Sequence, residues 1–148
     1  MLELTLKHHT FAFLRDGLAA EEISEGMSKK ILLADDDSDI RFILKTVLDQ
    51  AGYHVEPLSS GKTLVEGKRE WPDLFILDRS LPTIDGLALC KYLKLNAETR
   101  NIPIIMMSSY HKLRSKARKI GVDAFIEKPF DLQDLLDLVE KHVRTTNL

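Results

Sequence analysis

From Lys30 onward, short apolar runs alternate with amphipathic stretches. A run of four or five apolar residues reads as a strand buried on both faces. Apolar positions three and four apart read as a helix with one covered face. "KKILLAD" thus predicts a first strand over Ile31 to Ala34. "SDIRFILKTVLDQAG" predicts a helix with Ile40, Leu44, Val47, Leu48 and Ala51 on one face and Gly52 as its stop. "YHVEPL" is a short second strand whose Pro57 suits an end or an edge. "SGKTLVEGKRE" is a weak second helix, "PDLFILD" a third strand, "DGLALCKYLK" a third helix and "IPIIMMSS" a fourth strand. "HKLRSKARKIG" predicts a fourth helix, with Leu113, Ala117 and Ile120 inward and Gly121 after it. "VDAFIEK" is a fifth strand. "FDLQDLLDLVEKHVR" is the clearest helix: Leu132, Leu135, Leu136, Val139 and Val143 make its stripe, and Asp131 suits its N-cap.

Five strands alternating with five helices predict a three-layer α/β unit, a parallel sheet covered on both faces with right-handed crossovers. The commonest five-stranded arrangement is flavodoxin-like, with strand order 2-1-3-4-5. Residues 1–28 do not follow this rhythm. "LELTLK" alternates like a strand, and "FAFLRDGLAAEEISEG" suits a short helix. Met27 stands directly before "SKKILL". The expected division is an extension of unknown role over 1–28 and a compact domain over 29–145.

A length of 148 residues suits one domain. A 44% apolar content supplies a core without staples. The net charge of −2 provides no overall basic field for nucleic acid. The single cysteine, Cys90, lies in a helical pattern with Leu89 and Leu93 and is expected to pack. No run approaches the ~18 apolar residues of a membrane span. The apolar residues at the start are interrupted by Glu3, Lys7, His8 and His9, unlike a secretory signal, so a cytoplasmic setting is the expectation.

Candidate chemistry lies at the strand ends. Strand one ends in Asp35-Asp36-Asp37, strand three in Asp78, strand four in Ser108-Ser109 and strand five in Glu127-Lys128-Pro129. In open parallel sheets, ligands bind outside the carboxyl ends of the strands where the strand order reverses, here between strands one and three. Clustered carboxylates repel unless a cation sits among them. An all-oxygen set with room for water suits Mg²⁺. A lysine brings a point charge for a phosphoryl group, and a serine hydroxyl can donate to its oxygens. A carboxylate is then left to attack phosphorus. Two of these acids have simpler readings: Asp37, or Ser38, as the N-cap of helix one, and Asp85-Gly86 as a turn and helix start.

Taken together, "ILLADDD", "FILDRSLPTIDG", "IPIIMMSS" and "AFIEKPF" resemble the receiver domain of two-component response regulators, of the chemotaxis-regulator type, over about residues 29–145. The resemblance implies a signalling domain that is not an enzyme in the ordinary sense. Asp78 would accept a phosphoryl group from a sensor histidine kinase or phosphotransfer protein. Asp35 and Asp36 would hold Mg²⁺ together with Asp78 and the backbone carbonyl of Ser80. Lys128 would pair with Asp78 and then with the phosphoryl group, across a Lys128-Pro129 bond that is usually cis. Ser108 and Phe125 would be the switch pair. Three residues depart from the usual pattern. Ser109 replaces an alanine or glycine, Arg79 follows Asp78 and is expected to face solvent or meet an acid, and Phe125 lacks a tyrosine hydroxyl.

The same resemblance places kinase docking near helix one and Phe130, with Ile40 and Ile43 as candidates. It places output on helix four, strand five and helix five. Helix four carries Lys112, Arg114, Lys116, Arg118 and Lys119, which suits an acidic protein partner or a self-dimer with Asp137 and Glu140 of helix five. Nucleic acid is disfavoured, as no aromatic platform accompanies the charge. Two alternatives stay open: a pseudo-receiver that only binds partners, and a small haloacid-dehalogenase-type phosphatase using Asp35-x-Asp37, which leaves Asp78 without a task.

Overall fold

The computed structural model describes residues 28–146. The expectations for the extension, apart from its last residue, lie outside the described residues. Five strands form one parallel sheet: β1 (Lys30–Ala34), β2 (His54–Leu58), β3 (Leu74–Asp78), β4 (Ile104–Ser108) and β5 (Ala124–Glu127). Their order is β2-β1-β3-β4-β5, as expected, with β2 and its Pro57 at an edge. Five α-helices connect and cover them: α1 (Ser38–Gln50), α2 (Gly61–Glu66), α3 (Gly86–Leu95), α4 (Arg114–Ile120) and α5 (Leu132–Thr146).

Every residue of β3 and β4 is buried. Successive side chains enter opposite layers, as strand geometry demands. Ile31, Leu33, Ile76, Ile105 and Met107 join Leu44, Val47 and Leu48 of α1 and Leu135, Leu136 and Val139 of α5 in one core. Leu32, Phe75, Leu77, Ile104 and Met106 join Leu64 of α2, Leu89, Cys90 and Leu93 of α3 and Ala117 of α4 in the other. Cys90 is fully buried, and that burial pushes its thiol up to about 12, so the side chain packs and stays protonated.

Local chemistry sets the helix ends. Asp37 Oδ1 accepts from the N–H groups of Asp39 (2.9 Å) and Ile40 (3.2 Å), making Asp37 the N-cap of α1. Asp85 caps α3 in the same way. Helix four differs from expectation. A single 3-10 turn, His111–Leu113, precedes a shorter α4. No side chain caps either start, and a 3-10 turn commonly absorbs such an end. Gly121 ends α4 with φ 111°, a left-handed conformation that an L side chain adopts only with strain.

No helix among the described residues is long and apolar enough to cross a membrane. α1 also offers an internal comparison. Leu48 is fully buried, whereas Phe42 is 72% exposed. Leu48→Ala is expected to cost about 3 kcal/mol of folding stability, while Phe42→Ala changes it by less than about 0.5 kcal/mol. Urea unfolding of the two variants checks the contrast, which fails if both midpoints move equally.

Candidate functional site

The strand order reverses between β1 and β3, and the carboxyl ends of those strands meet in an acidic crevice. Oxygen atoms of Asp35, Asp36 and Asp78 lie within 4.8 Å of one another. Asp35 is fully buried and Asp78 nearly so, while Asp36 is exposed. Buried charges of one sign at this spacing need a counter-charge. Lys128, just beyond β5, supplies it: its Nζ lies 2.9 Å from Asp35 Oδ2 and 2.9 Å from Asp78 Oδ1. The Lys128-Pro129 bond is cis.

Asp35 is held at further points. Its Oδ1 accepts from the Asp37 N–H at 2.9 Å, and its carbonyl accepts from the Arg41 guanidinium at 2.7 Å. Arg41 was not among the residues expected here. The sign of a role was available, because an arginine six residues after Asp35 falls in the first turn of the helix that leaves the acidic triplet. Asp78 accepts from the Ser80 backbone N–H, and the Ser80 side chain is exposed.

The two charged ends respond differently to this setting. Burial pushes the Asp78 carboxyl above its ordinary value, and the Asp35 charge adds to the rise. The Lys128 hydrogen bond and charge, with the Ser80 N–H, offset part of it. For Lys128, burial alone would lower the ammonium, but the hydrogen bonds and charges of Asp78 and Asp35 outweigh it and raise it. Lys128 thus offsets only part of the burial cost of the Asp78 ion, while Asp78 and Asp35 together more than offset that of the ammonium.

Gly86 closes the crevice from below. A Cβ there would sit 2.4 Å from the Asp78 carbonyl oxygen and 2.6 Å from Arg79 Cα, so the start of α3 presses directly on the strand end. The intervening loop carries Thr83 at φ 67°, a strained conformation for a β-branched residue that the sequence did not announce.

Ser108 is buried one step beyond Asp78's register partner, Met107. Its Oγ accepts from the Tyr110 N–H at 2.9 Å, and its carbonyl accepts from the Lys128 N–H at 2.8 Å. Ser109 is exposed. Phe125 is half-buried, with the Arg114 guanidinium 4.9 Å from its ring centroid. Arg79 lines the groove between α3 and α4 and forms no salt bridge with a described acid. It is half-buried, and its enclosed Nε has no hydrogen-bond partner among the described residues. Beside Lys128, an apolar pocket of about 340 Å³ is lined by Ile40, Ile43, Leu44, Pro129, Phe130 and Leu132.

A doubly wound parallel sheet with an acidic crevice and one bridging lysine defines a class of phosphoryl-handling α/β modules. The family model described as the response regulator receiver domain matches residues 31–140, and the chain belongs to that family. It is 32% identical over 120 residues to sporulation initiation phosphotransferase F of Bacillus subtilis (strain 168), covering 79% of this chain and 95% of that protein. It is 32% identical over 121 residues to the DNA-binding dual master transcriptional regulator RpaA of Synechocystis sp., covering 80% of this chain. The chain spans 50% of that regulator's length. The structure of a CheY-like response regulator receiver domain protein from Methanospirillum hungatei JF-1 superposes with a TM-score of 0.74 at 27% identity, covering 81% of this chain and 97% of that one. Receiver domains are signalling domains of two-component systems, work with histidine kinases or phosphotransfer proteins, and bind Mg²⁺ in an acidic pocket. The donor set here fits that ion: three carboxylates converge, one of them exposed to the water that Mg²⁺ retains.

Two outcomes follow from the electrostatics. Removing the ammonium by Lys128→Met leaves two buried carboxylates facing each other, so stability in EDTA should fall by about 2 kcal/mol. Divalent-cation affinity should rise in the same variant; thermal melts with and without Mg²⁺ check both. The second outcome concerns Asp78. Its raised value means that the folded state holds this proton more tightly than the unfolded chain, so ionisation of Asp78 costs stability as pH rises. Asp78→Asn should therefore melt higher than wild type near pH 7, by about 1 kcal/mol of stability. The gap should close as pH falls through the raised Asp78 value and the wild type becomes neutral too. Parallel melts across that range would contradict this if the gap stayed constant.

Proposed function

We propose that residues 29–145 form a phosphorylation-switched receiver in which Asp78 is the phosphoacceptor. The observation that carries this reading is the shared grip of Lys128 on Asp35 and Asp78 beside an exposed third carboxylate, Asp36. A carboxylate oxygen of Asp78 attacks the phosphorus of a phosphohistidine on a kinase or phosphotransfer protein. The P–N bond breaks, its electron pair returns to the imidazole, and an acyl phosphate forms on Asp78. Asp35, Asp36, Asp78 and the Ser80 carbonyl would hold Mg²⁺. The bound ion would neutralise charge on the phosphoryl oxygens.

The remaining steps belong to the chain's own residues. Lys128 keeps its place and exchanges a carboxylate oxygen for a phosphoryl oxygen. Ser108 Oγ uses a lone pair on the Tyr110 N–H, so its own O–H stays available to donate to the phosphoryl group. Its movement frees space into which the Phe125 ring turns, leaving Arg114 behind. The cation–π contact surrendered in that turn is worth about 0.5–1 kcal/mol at such an exposed site, small enough for one local charge to overcome.

The apolar pocket at Ile40, Ile43 and Phe130 supports kinase or phosphotransfer docking, because it opens beside Lys128. The surface of α4, β5 and α5 would then meet a downstream protein or a second copy of the chain, in the cytoplasm. A phosphatase using Asp35 as nucleophile is disfavoured. Asp35 is fully buried, and its two carboxylate oxygens already accept from Asp37 N–H and Lys128.

Intact-mass measurement after incubation with Mg²⁺ and acetyl phosphate tests the proposal. One phosphoryl group should be gained by the wild type and lost in Asp78→Asn and with EDTA. An unmodified wild type that also fails to bind beryllofluoride would instead identify a pseudo-receiver.

A further inference from the structure

A second groove lies away from the crevice, between α3 and α4, with a volume of about 650 Å³. Its floor and rims carry Leu87, Leu95, Leu113 and Ile120. Five cations line it, Arg79, Lys91, Lys94, Lys116 and Lys119, against the single acid Asp85. Asp85 is already engaged with the N–H groups of Leu87 and Ala88. Lys94 is spent on Asp123 and on the Ile102 carbonyl. The other four cations form no salt bridge with a described residue, and the enclosed Arg79 Nε has no partner there. Such a groove fits an occupant with several carboxylates and a few apolar side chains.

The chain's own sequence contains one. "DGLAAEEISE", residues 16–25, carries Asp16, Glu21, Glu22 and Glu25 with no basic residue, and Leu18 and Ile23 as apolar anchors. These residues lie outside the described ones and enter by their sequence alone. The reach is adequate. In a parallel α/β unit the C-terminal ends of the helices lie at the end of the sheet where the strands begin. Lys94, Leu95 and Ile120 therefore open the groove at the end where Ser28, bonded to the Gly52 carbonyl, leads into β1. The groove sits over β3 and β4, up to about 10 Å sideways from β1 and one layer of about 10 Å above the sheet. An extended chain from Ser28 back to Glu21 covers about 24 Å.

We propose that residues 16–25 dock intramolecularly in the α3–α4 groove, with Glu21, Glu22 and Glu25 against Lys91, Lys116 and Lys119. The docked segment lies on α4, one of the elements assigned to partner binding, and competes with any acidic partner for it.

A nitroxide on Ala20→Cys of the full chain tests this, since the native Cys90 is fully buried and escapes labelling. In dilute, low-salt solution the amide signals of Lys91, Lys116 and Lys119 should broaden, and those of α1 should not. The broadening should vanish above ~0.5 M NaCl and in the Lys91→Glu, Lys116→Glu, Lys119→Glu variant. Adding Glu21→Lys, Glu22→Lys and Glu25→Lys to that variant should restore it. Signals unbroadened in the wild type overturn the proposal. So does broadening that appears equally when spin-labelled, isotope-free chains are mixed with unlabelled isotopic ones, which would assign the groove to a second copy.

Discussion

Everything at the carboxyl edge of the sheet depends on one ammonium group shared by two buried carboxylates. Asp35 and Asp78 stand at the ends of neighbouring strands at the switch point, and Lys128 supplies the counter-charge that two buried carboxylates so close together require. The constraint extends beyond the pair. To hold Nζ at 2.9 Å from both oxygens, the segment after β5 must be fixed, and the Lys128 N–H to Ser108 carbonyl bond does this. The strand carrying Asp78 must also be fixed, and the close seat of Gly86 on the Asp78 carbonyl does that. Three loops are thus tied to one charge.

This arrangement explains which features were legible in the sequence. Short apolar runs such as "LFIL" and "IPIIMM", bounded by turn residues and alternating with longer amphipathic stretches, read as strands in a sheet covered on both faces, so the element order is legible. The residues at the ends of those runs were legible for the same reason, since a polar group ending a buried strand stands at the rim. Long-range pairing was harder. Nothing in the spacing of Lys128 to Asp35, 93 residues apart, says that the ammonium serves Asp35 as fully as Asp78. That the two pair at all depends on β1 and β5 leaning on the same crevice from opposite sides of β3 and β4.

The remaining surprises are local compromises set by tertiary packing. Helix four was read as one helix because its apolar positions keep a helical spacing. With no capping side chain at Tyr110 or Leu113, its first turn tightens to 3-10 instead. For Arg79 the sequence leaves two places open, solvent or an acidic partner; the β3–α3 loop puts it on the rim of the α3–α4 groove, half-buried and with its Nε enclosed. The position of Arg41 in the first turn after the acidic triplet is legible, but its partner is not, because that partner is a backbone carbonyl, an acceptor that no side-chain pattern reveals.

The identity of the shared cation also matters for switching. An arginine would grip two carboxylates with a rigid planar fork and hold them in one geometry. A lysine presents a compact charge with three rotatable donors on a flexible stem. It can therefore give up one carboxylate oxygen for a newly placed anionic oxygen without moving its own backbone. The backbone it keeps still is the one bonded to Ser108, which sits between the crevice and the α4–β5 edge that carries Phe125 and Arg114. In the proposed switch, a charge arriving at Asp78 would have two responses open to it nearby: a rotation of Ser108 Oγ and a repacking of the half-buried Phe125 ring that Arg114 covers. Both are small, and both lie on the route from the crevice to α4. On the proposed reading, a local electrostatic event would select between two packings of that edge.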